Sequence, residues 1–130
     1  MIILTIRTDK PEAELGLYKD SKKLSYQKWQ AHRELSDTVH RKIEELLKSS
    51  DKTWADIGGI VAFQGPGSFT GLRIGLTVAN TLAYSLDCPI VGSDGDKWIE
   101  TGIIELESGK NVQQVMPEYG SEPNITQQKK

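Results

Sequence analysis

The sequence contains one cysteine, so Cys88 has no partner for an internal disulfide, which fits a reducing compartment. It also lacks a basic excess: 16 Lys and Arg stand against 18 Asp and Glu, for a net charge of -2. That balance argues against a domain that holds nucleic acid by charge alone, because such domains carry a basic stripe. Long apolar runs are missing too; the longest are a handful of residues against the ~20 needed to cross a bilayer. The opening Met1-Ile2-Ile3-Leu4-Thr5-Ile6 is too short for a signal-peptide core and has no basic lead-in. The expected location is cytoplasmic, with no membrane contact. His32 and His40 are eight residues apart, where a helical ligand pair needs three or four. No metal site and no cofactor are expected. Hydrophobic residues make up 37% of the 130 residues, low for one compact domain, so part of the chain is expected to be tail.

What is present is a change of period. Ile2 to Ile6 reads as a short buried strand, closed by the polar cluster Arg7-Thr8-Asp9-Lys10-Pro11. Ala13, Leu15 and Leu17 alternate as a half-buried strand does, and Leu24 to Ala31 alternates again. Loops this short join antiparallel neighbours, so the opening is a three-stranded meander. Leu35, Val39, Ile43, Leu46 and Leu47 then recur at helical spacing, with Ser36 as the expected N-cap and Lys48 in the last turn. Gly58 to Phe63 is a continuous apolar run, typical of a strand covered on both faces. A second helix is expected over about 69–86, ended by Asp87-Cys88-Pro89, and a last strand over Pro89-Ile90-Val91-Gly92. Strand, helix, strand makes a parallel βαβ unit. Beyond Ser93, residues 96–107 can be drawn as a helix, Val112 to Met116 has strand character, and a flexible tail is expected from 117. The domain reading is therefore a lobe at 1–93, a remnant helix and strand at 94–116, and a tail at 117–130. The order β-β-β-α-β-α-β is that of the ribonuclease-H-like half-domain of the actin and hexokinase class, an α/β mixed sheet with helices.

The glycine-rich turn Gly65-Pro66-Gly67-Ser68-Phe69-Thr70-Gly71 is the most informative segment. A strand running through glycines into a helix leaves free N–H groups aligned with the helix dipole, a ready anion cradle. The phosphate motifs themselves do not match. A P-loop needs Lys where Leu72 stands, and the dinucleotide pattern needs a glycine where Thr70 stands. A structural turn capped by Ser68 remains the other reading. Arg73 is either a surface arginine or a charge poised near this turn for an acidic group. Down the second helix, Gly71, Gly75, Ala79 and Ala83 form a ridge of small residues spaced by four. Such a ridge admits another helix closely. Leu72, Ile74, Leu76, Val78, Leu82 and Leu86 make the remaining faces apolar as well, which calls for burial on more than one side.

Gln64-Gly65-Pro66-Gly67-Ser68-Phe69-Thr70-Gly71-Leu72-Arg73-Ile74-Gly75 closely resembles the signature of the TsaB (YeaZ) family. The likeness continues through Val78-Ala79-Asn80-Thr81-Leu82-Ala83 into Pro89-Ile90-Val91-Gly92, and covers about residues 2–93. The resemblance implies a non-catalytic subunit in the formation of N6-threonylcarbamoyladenosine at tRNA position 37. Such a subunit pairs with a catalytic TsaD-like subunit through its N-terminal-lobe helices. A TsaE-like ATPase docks on the pair, and tRNA is met only through the complex. On this view the partner interface is Val39, Ile43, Leu46 and Leu47 of the first helix, with Gly71, Leu72, Gly75, Leu76, Ala79 and Ala83 of the second. Alone, the chain is expected to form a homodimer.

The sequence departs from the family at Arg7-Thr8-Asp9, where the family carries Asp-Thr-Ser. In the catalytic relatives the first acid helps hold nucleotide phosphates and metal, and Arg7 reverses its charge. The family's second lobe is largely absent, which implies no closed cleft. The alternatives are a nucleotide-binding enzyme of the actin-like ATPase or peptidase type, with Asp9 as the acid, and a homodimeric interaction module.

Overall fold

The structure, a computed structural model, describes residues 1–31, 35–67 and 69–118. Five strands form one mixed sheet: β1 (Ile2–Arg7), β2 (Glu12–Lys19), β3 (Lys22–Gln30), β4 (Ile57–Phe63) and β5 (Ile90–Ser93). Three helices pack on it: α1 (Leu35–Ser49), α2 (Phe69–Leu86) and α3 (Trp98–Glu107). The strand order is β3-β2-β1-β4-β5. The meander is antiparallel, while β1–β4 and β4–β5 are parallel. This is the ribonuclease-H-like half-domain, and the expected β-β-β-α-β-α-β order holds through β5. β1 sits at the centre because its Ile3, Leu4 and Ile6 are apolar on both faces and need cover from two neighbours and two layers.

The period-two alternation sorts the sheet into two sides. Leu15 and Leu17 of β2 and Ile60 and Ala62 of β4 share one side with Leu4 and Ile6, their ladder partners on β1. α1 covers that side over β2 and β3, and α2 covers it over β1, β4 and β5. Trp29 Nε1 donates to Thr38 Oγ1 at 3.2 Å, tying β3 to α1. α3 lies on the other side against β4 and β5. There Phe63 meets Trp98 edge-on at 5.7 Å, and a Cβ on Gly102 would collide with Val61. Val39, Ile43, Leu46 and Leu47 are at most 2% exposed, and burying each contributes about 1.5–3 kcal/mol.

Three local expectations are corrected. α1 already includes Leu35, so Ser36 lies within its first turn and not at the cap. Residues 112–116 form no strand; they run past β5 to Gln64 as an irregular strap whose Val115 is 2% exposed. Only one bond to β5 forms, from the Val112 N–H to the Ile90 carbonyl at 2.9 Å, and Val115 is held by a side chain instead: Asn80 pairs with its N–H and C=O at 2.8 and 2.9 Å. Pro117 and Glu118, expected in the tail, are part of this strap, and the Glu118 N–H donates to the Gln64 carbonyl at 2.9 Å. The rest of the expected tail, 119–130, lies outside the described residues. α3 and Val115 share one core with β1, β4 and β5.

Candidate functional site

The glycine turn connects β4 to α2 at the carboxyl end of the parallel strands, the place where α/β sheets present ligand sites. Its glycines are used for close approach by the chain itself. Gly65 has φ +120°, and a Cβ there would collide with the Glu118 carbonyl oxygen. A Cβ on Gly67 would collide with the Asp9 side chain, and one on Gly75 with Thr8 Oγ1. Gln64 Nε2 donates to the Met116 carbonyl at 3.0 Å, so the strap lies against the turn from one side. The Arg7-Thr8-Asp9 loop lies against it from the other. Of the remaining turn residues, Pro66 and Thr70 are exposed, and Ser68 lies outside the described residues.

Arg7 and Asp9 form a two-pronged ion pair, with Arg7 Nε at 2.7 Å from Asp9 Oδ1 and a second nitrogen at 3.3 Å from Oδ2. The Asp9 side chain is 6% exposed and that of Arg7 17%. The guanidinium sits 3.8 Å above the Phe63 ring, a cation–π arrangement. Burial opposes the Arg7 charge, but the hydrogen bond and charge of Asp9, with Glu14 and Tyr26 adding, outweigh it. The guanidinium is held above its ordinary value. Beside it, Tyr26 donates to Glu14 across the β2–β3 pair. Burial first, and the Glu14 hydrogen bond second, push the Tyr26 phenol up. Asp9, the acid that could have stood in for the family's aspartate, is thus committed to Arg7.

The ten residues expected at a partner interface face inward. Val39, Ile43, Leu46, Leu47, Leu72, Leu76, Ala79 and Ala83 belong to the chain's own core. Gly75 is buried against Thr8, and the Gly71 carbonyl accepts from Thr8 Oγ1 at 2.7 Å. The small ridge admits β1's loop and the sheet, where the sequence suggested a second helix. The outward side of α2 consists of other residues: Thr70, Arg73, Thr77 and Thr81 exposed, and Ile74, Val78 and Leu82 half-buried. With Ser36 and His40 of α1 and Trp54, they line two adjoining grooves that share Thr77 and Val78. His40 stacks on Trp54 at 4.7 Å. Phe69 is the first residue of α2.

Sequence reasoning missed Asn80 and Gln64, the two side chains that seat the strap. A signal existed: an asparagine in the middle of an otherwise apolar helix face is a poor helix former and needs a partner.

Comparison with known proteins gives consistent matches. The family model described as "TsaD: tRNA N6-adenosine threonylcarbamoyltransferase" matches residues 29–94. The "tRNA threonylcarbamoyladenosine biosynthesis protein TsaB" of Bacillus subtilis is 52% identical over 48 residues, 37% of this chain and 21% of that protein. Its Escherichia coli counterpart is 32% identical over 97 residues, 71% of this chain and 39% of that one. The structure of YeaZ from Pseudomonas aeruginosa superposes with a TM-score of 0.66 at 22% identity, over 72% of this chain and 43% of that chain. The chain therefore spans between about a fifth and two-fifths of these curated relatives.

Proposed function

This chain belongs to the tRNA N6-adenosine threonylcarbamoyltransferase (TsaD) family, in its TsaB (YeaZ) branch, and we propose that it acts as an accessory subunit in forming N6-threonylcarbamoyladenosine on tRNA. Its partner is a TsaD-like catalytic subunit. The chain itself performs no chemistry; it holds that partner in its active arrangement, as a lobe formed by residues 1–93 and supported by 94–116. A TsaE-like ATPase and tRNA are met through the complex, in the cytoplasm. Without its partner the chain pairs with a second copy of itself.

The observation that carries this reading is the unequal use of α2. Its small and apolar ridge is consumed by the chain's own sheet, yet Ile74, Val78 and Leu82 remain half-buried on the outer side, in grooves shared with α1. Apolar side chains left between two outer helices suit a partner's helices. The Arg7–Asp9 pair supports the non-catalytic role, since it places a fixed cation on the loop where catalytic relatives carry an acid. Among the described residues no helix is long and apolar enough to cross a membrane.

Two measurements test the reading. Mixed with TsaD from the same organism, the chain should co-elute on size exclusion, and Thr77→Arg, an exposed substitution between the two grooves, should abolish co-elution while leaving the fold intact. In a reconstituted reaction, tRNA modification should depend on the chain and lose most of its rate with the same variant. Separate elution of the wild-type proteins, with and without nucleotide, would sink the proposal.

A further inference from the structure

Residues 111–118 sit between α2 and the outer edge of β5 in the way a bound peptide sits in its groove. Asn80 of α2 accepts from the Val115 N–H at 2.8 Å and donates to its carbonyl at 2.9 Å. Gln64 donates through Nε2 to the Met116 carbonyl at 3.0 Å, and its own carbonyl accepts the Glu118 N–H at 2.9 Å. The Ile90 carbonyl accepts the Val112 N–H at 2.9 Å. Each of these bonds is made to the main chain of the strap, so none depends on which side chains the strap carries. One side chain is read: Val115 is 2% exposed, in a socket beside Gly92, where a Cβ would collide with its Cγ1. Gln113, Gln114 and Met116 are exposed.

The strap fills this groove incompletely. β5 is an edge of the sheet, yet among the described residues the strap bonds to it only at Ile90, whose N–H is met at 3.1 Å by the Asn111 side chain where a regular strand would offer a main-chain carbonyl. Gln113 takes φ +65°, a left-handed conformation unfavourable for a residue with a Cβ. Beside it lies a hollow of about 340 Å³ lined by Tyr84, Asp87, Cys88 and Asn111, and Tyr84 is 90% exposed. We infer that this groove binds an extended segment of another protein, which displaces the strap, adds to β5 as a further strand and places a β-branched apolar residue in the Val115 socket. Strand addition draws affinity from main-chain bonds and specificity from side-chain sockets. Asn80, Gln64 and the β5 edge supply the first, and the socket beside Gly92 the second. A regular strand also does without the left-handed residue and leaves fewer edge groups of β5 unmet. The strap leaves only in exchange, because its departure alone strips Asn80 of both partners. The site is separate from the outer side of α2 and does not rest on the accessory-subunit reading.

Fluorescence anisotropy on the full chain tests this with two labelled peptides. One carries residues 110–118 as they stand; the other carries Gln113→Thr and Gln114→Thr, which favour an extended chain. The threonine peptide should bind wild type, and severalfold more tightly than the strap's own sequence. Val115→Asp in the chain removes the strap's anchor and should tighten both by about tenfold, since the strap no longer competes for the groove. Methylating the peptide's amide nitrogen at the Val115 position should weaken binding by about tenfold, and so should Asn80→Ala in the chain, because each removes main-chain recognition. Met116→Ala in the peptide should leave binding unchanged.

If Val115→Asp shows no cooperative unfolding by circular dichroism, Val115→Ala takes its place, with tighter binding again expected. No binding of either peptide to wild type or to the anchor variant would overturn the assignment. So would binding that ignores both Asn80→Ala and the methylated amide. An oligomer seen in sedimentation velocity and lost with Asn80→Ala would give the groove to the strap of a second copy, and would overturn the foreign segment as occupant. None of these outcomes bears on pairing with a TsaD-like subunit, which the Thr77→Arg experiment reads.

Discussion

Thr8 Oγ1 donates to the carbonyl oxygen of Gly71 at 2.7 Å, joining the end of the central strand to the first turns of α2 across 63 residues of sequence. The contact is possible because Gly75, one turn further along, leaves room for the Thr8 side chain. The helix can thus approach the sheet more closely here than any side chain would allow.

Gly75→Ala should destabilise the protein by about 1–3 kcal/mol, the usual cost of overpacking, even though alanine is the better helix former. Thr8→Ala in the same chain should recover part of that loss by removing the atoms the new methyl meets. Urea denaturation of the two single variants and the double variant measures the coupling, which should exceed ~0.5 kcal/mol. Additive effects would show that the two residues do not compete for the same space.

Asn80→Ala removes both hydrogen bonds to Val115 and leaves a buried N–H and C=O without partners. A loss of about 1–3 kcal/mol is expected. Hydrogen exchange should show residues 111–118 losing protection first, ahead of β1 and β4. Equal loss of protection throughout would mean that the strap does not open as a separate unit.

Arg7→Ala leaves the Asp9 carboxylate buried without its counter-charge, and should cost about 3 kcal/mol. Arg7→Ala with Asp9→Ala should cost less than Arg7→Ala alone. Thermal unfolding of the three variants decides, and a double variant no better than the single would show that the ion pair is not the source of the loss.

Burial first, and the Asp87 charge second, raise the Cys88 thiol above its ordinary value of 9.0. The folded thiol holds its proton more tightly than the unfolded one. Its contribution to stability is therefore fully present below pH 9 and is lost as pH rises through the folded value. Alkylation by iodoacetamide near pH 8 should be slower in the native protein than in urea, and Cys88→Ala should flatten the fall in stability above pH 9. Equal alkylation rates in the two states would contradict the burial.

Much of the fold was legible in the sequence because local periodicity and tertiary burial agree. The residues at helical spacing in α1 are its buried residues, and the continuous apolar run became a strand covered by α2 and α3 on its two faces. The strap was not legible, because Val112 to Met116 alternates like a strand while Val115 is seated by an asparagine 35 residues away and Met116 by Gln64. The ridge of small residues was legible as a close contact but not as to its partner: a small residue at every fourth position permits approach by anything.

The amino-acid order by itself determined the element sequence, the βαβ unit, the tight glycine turn and the absence of a disulfide within the chain. These follow from hydrophobic period, backbone permissiveness and residue count, all local properties. The tertiary structure alone decided which face α2 turns to the sheet, that Asp9 is spent on Arg7, and that Glu118 fills the hollow beside Gly65. Those outcomes depend on which groups compete for the same buried space, and that is settled only when distant segments meet.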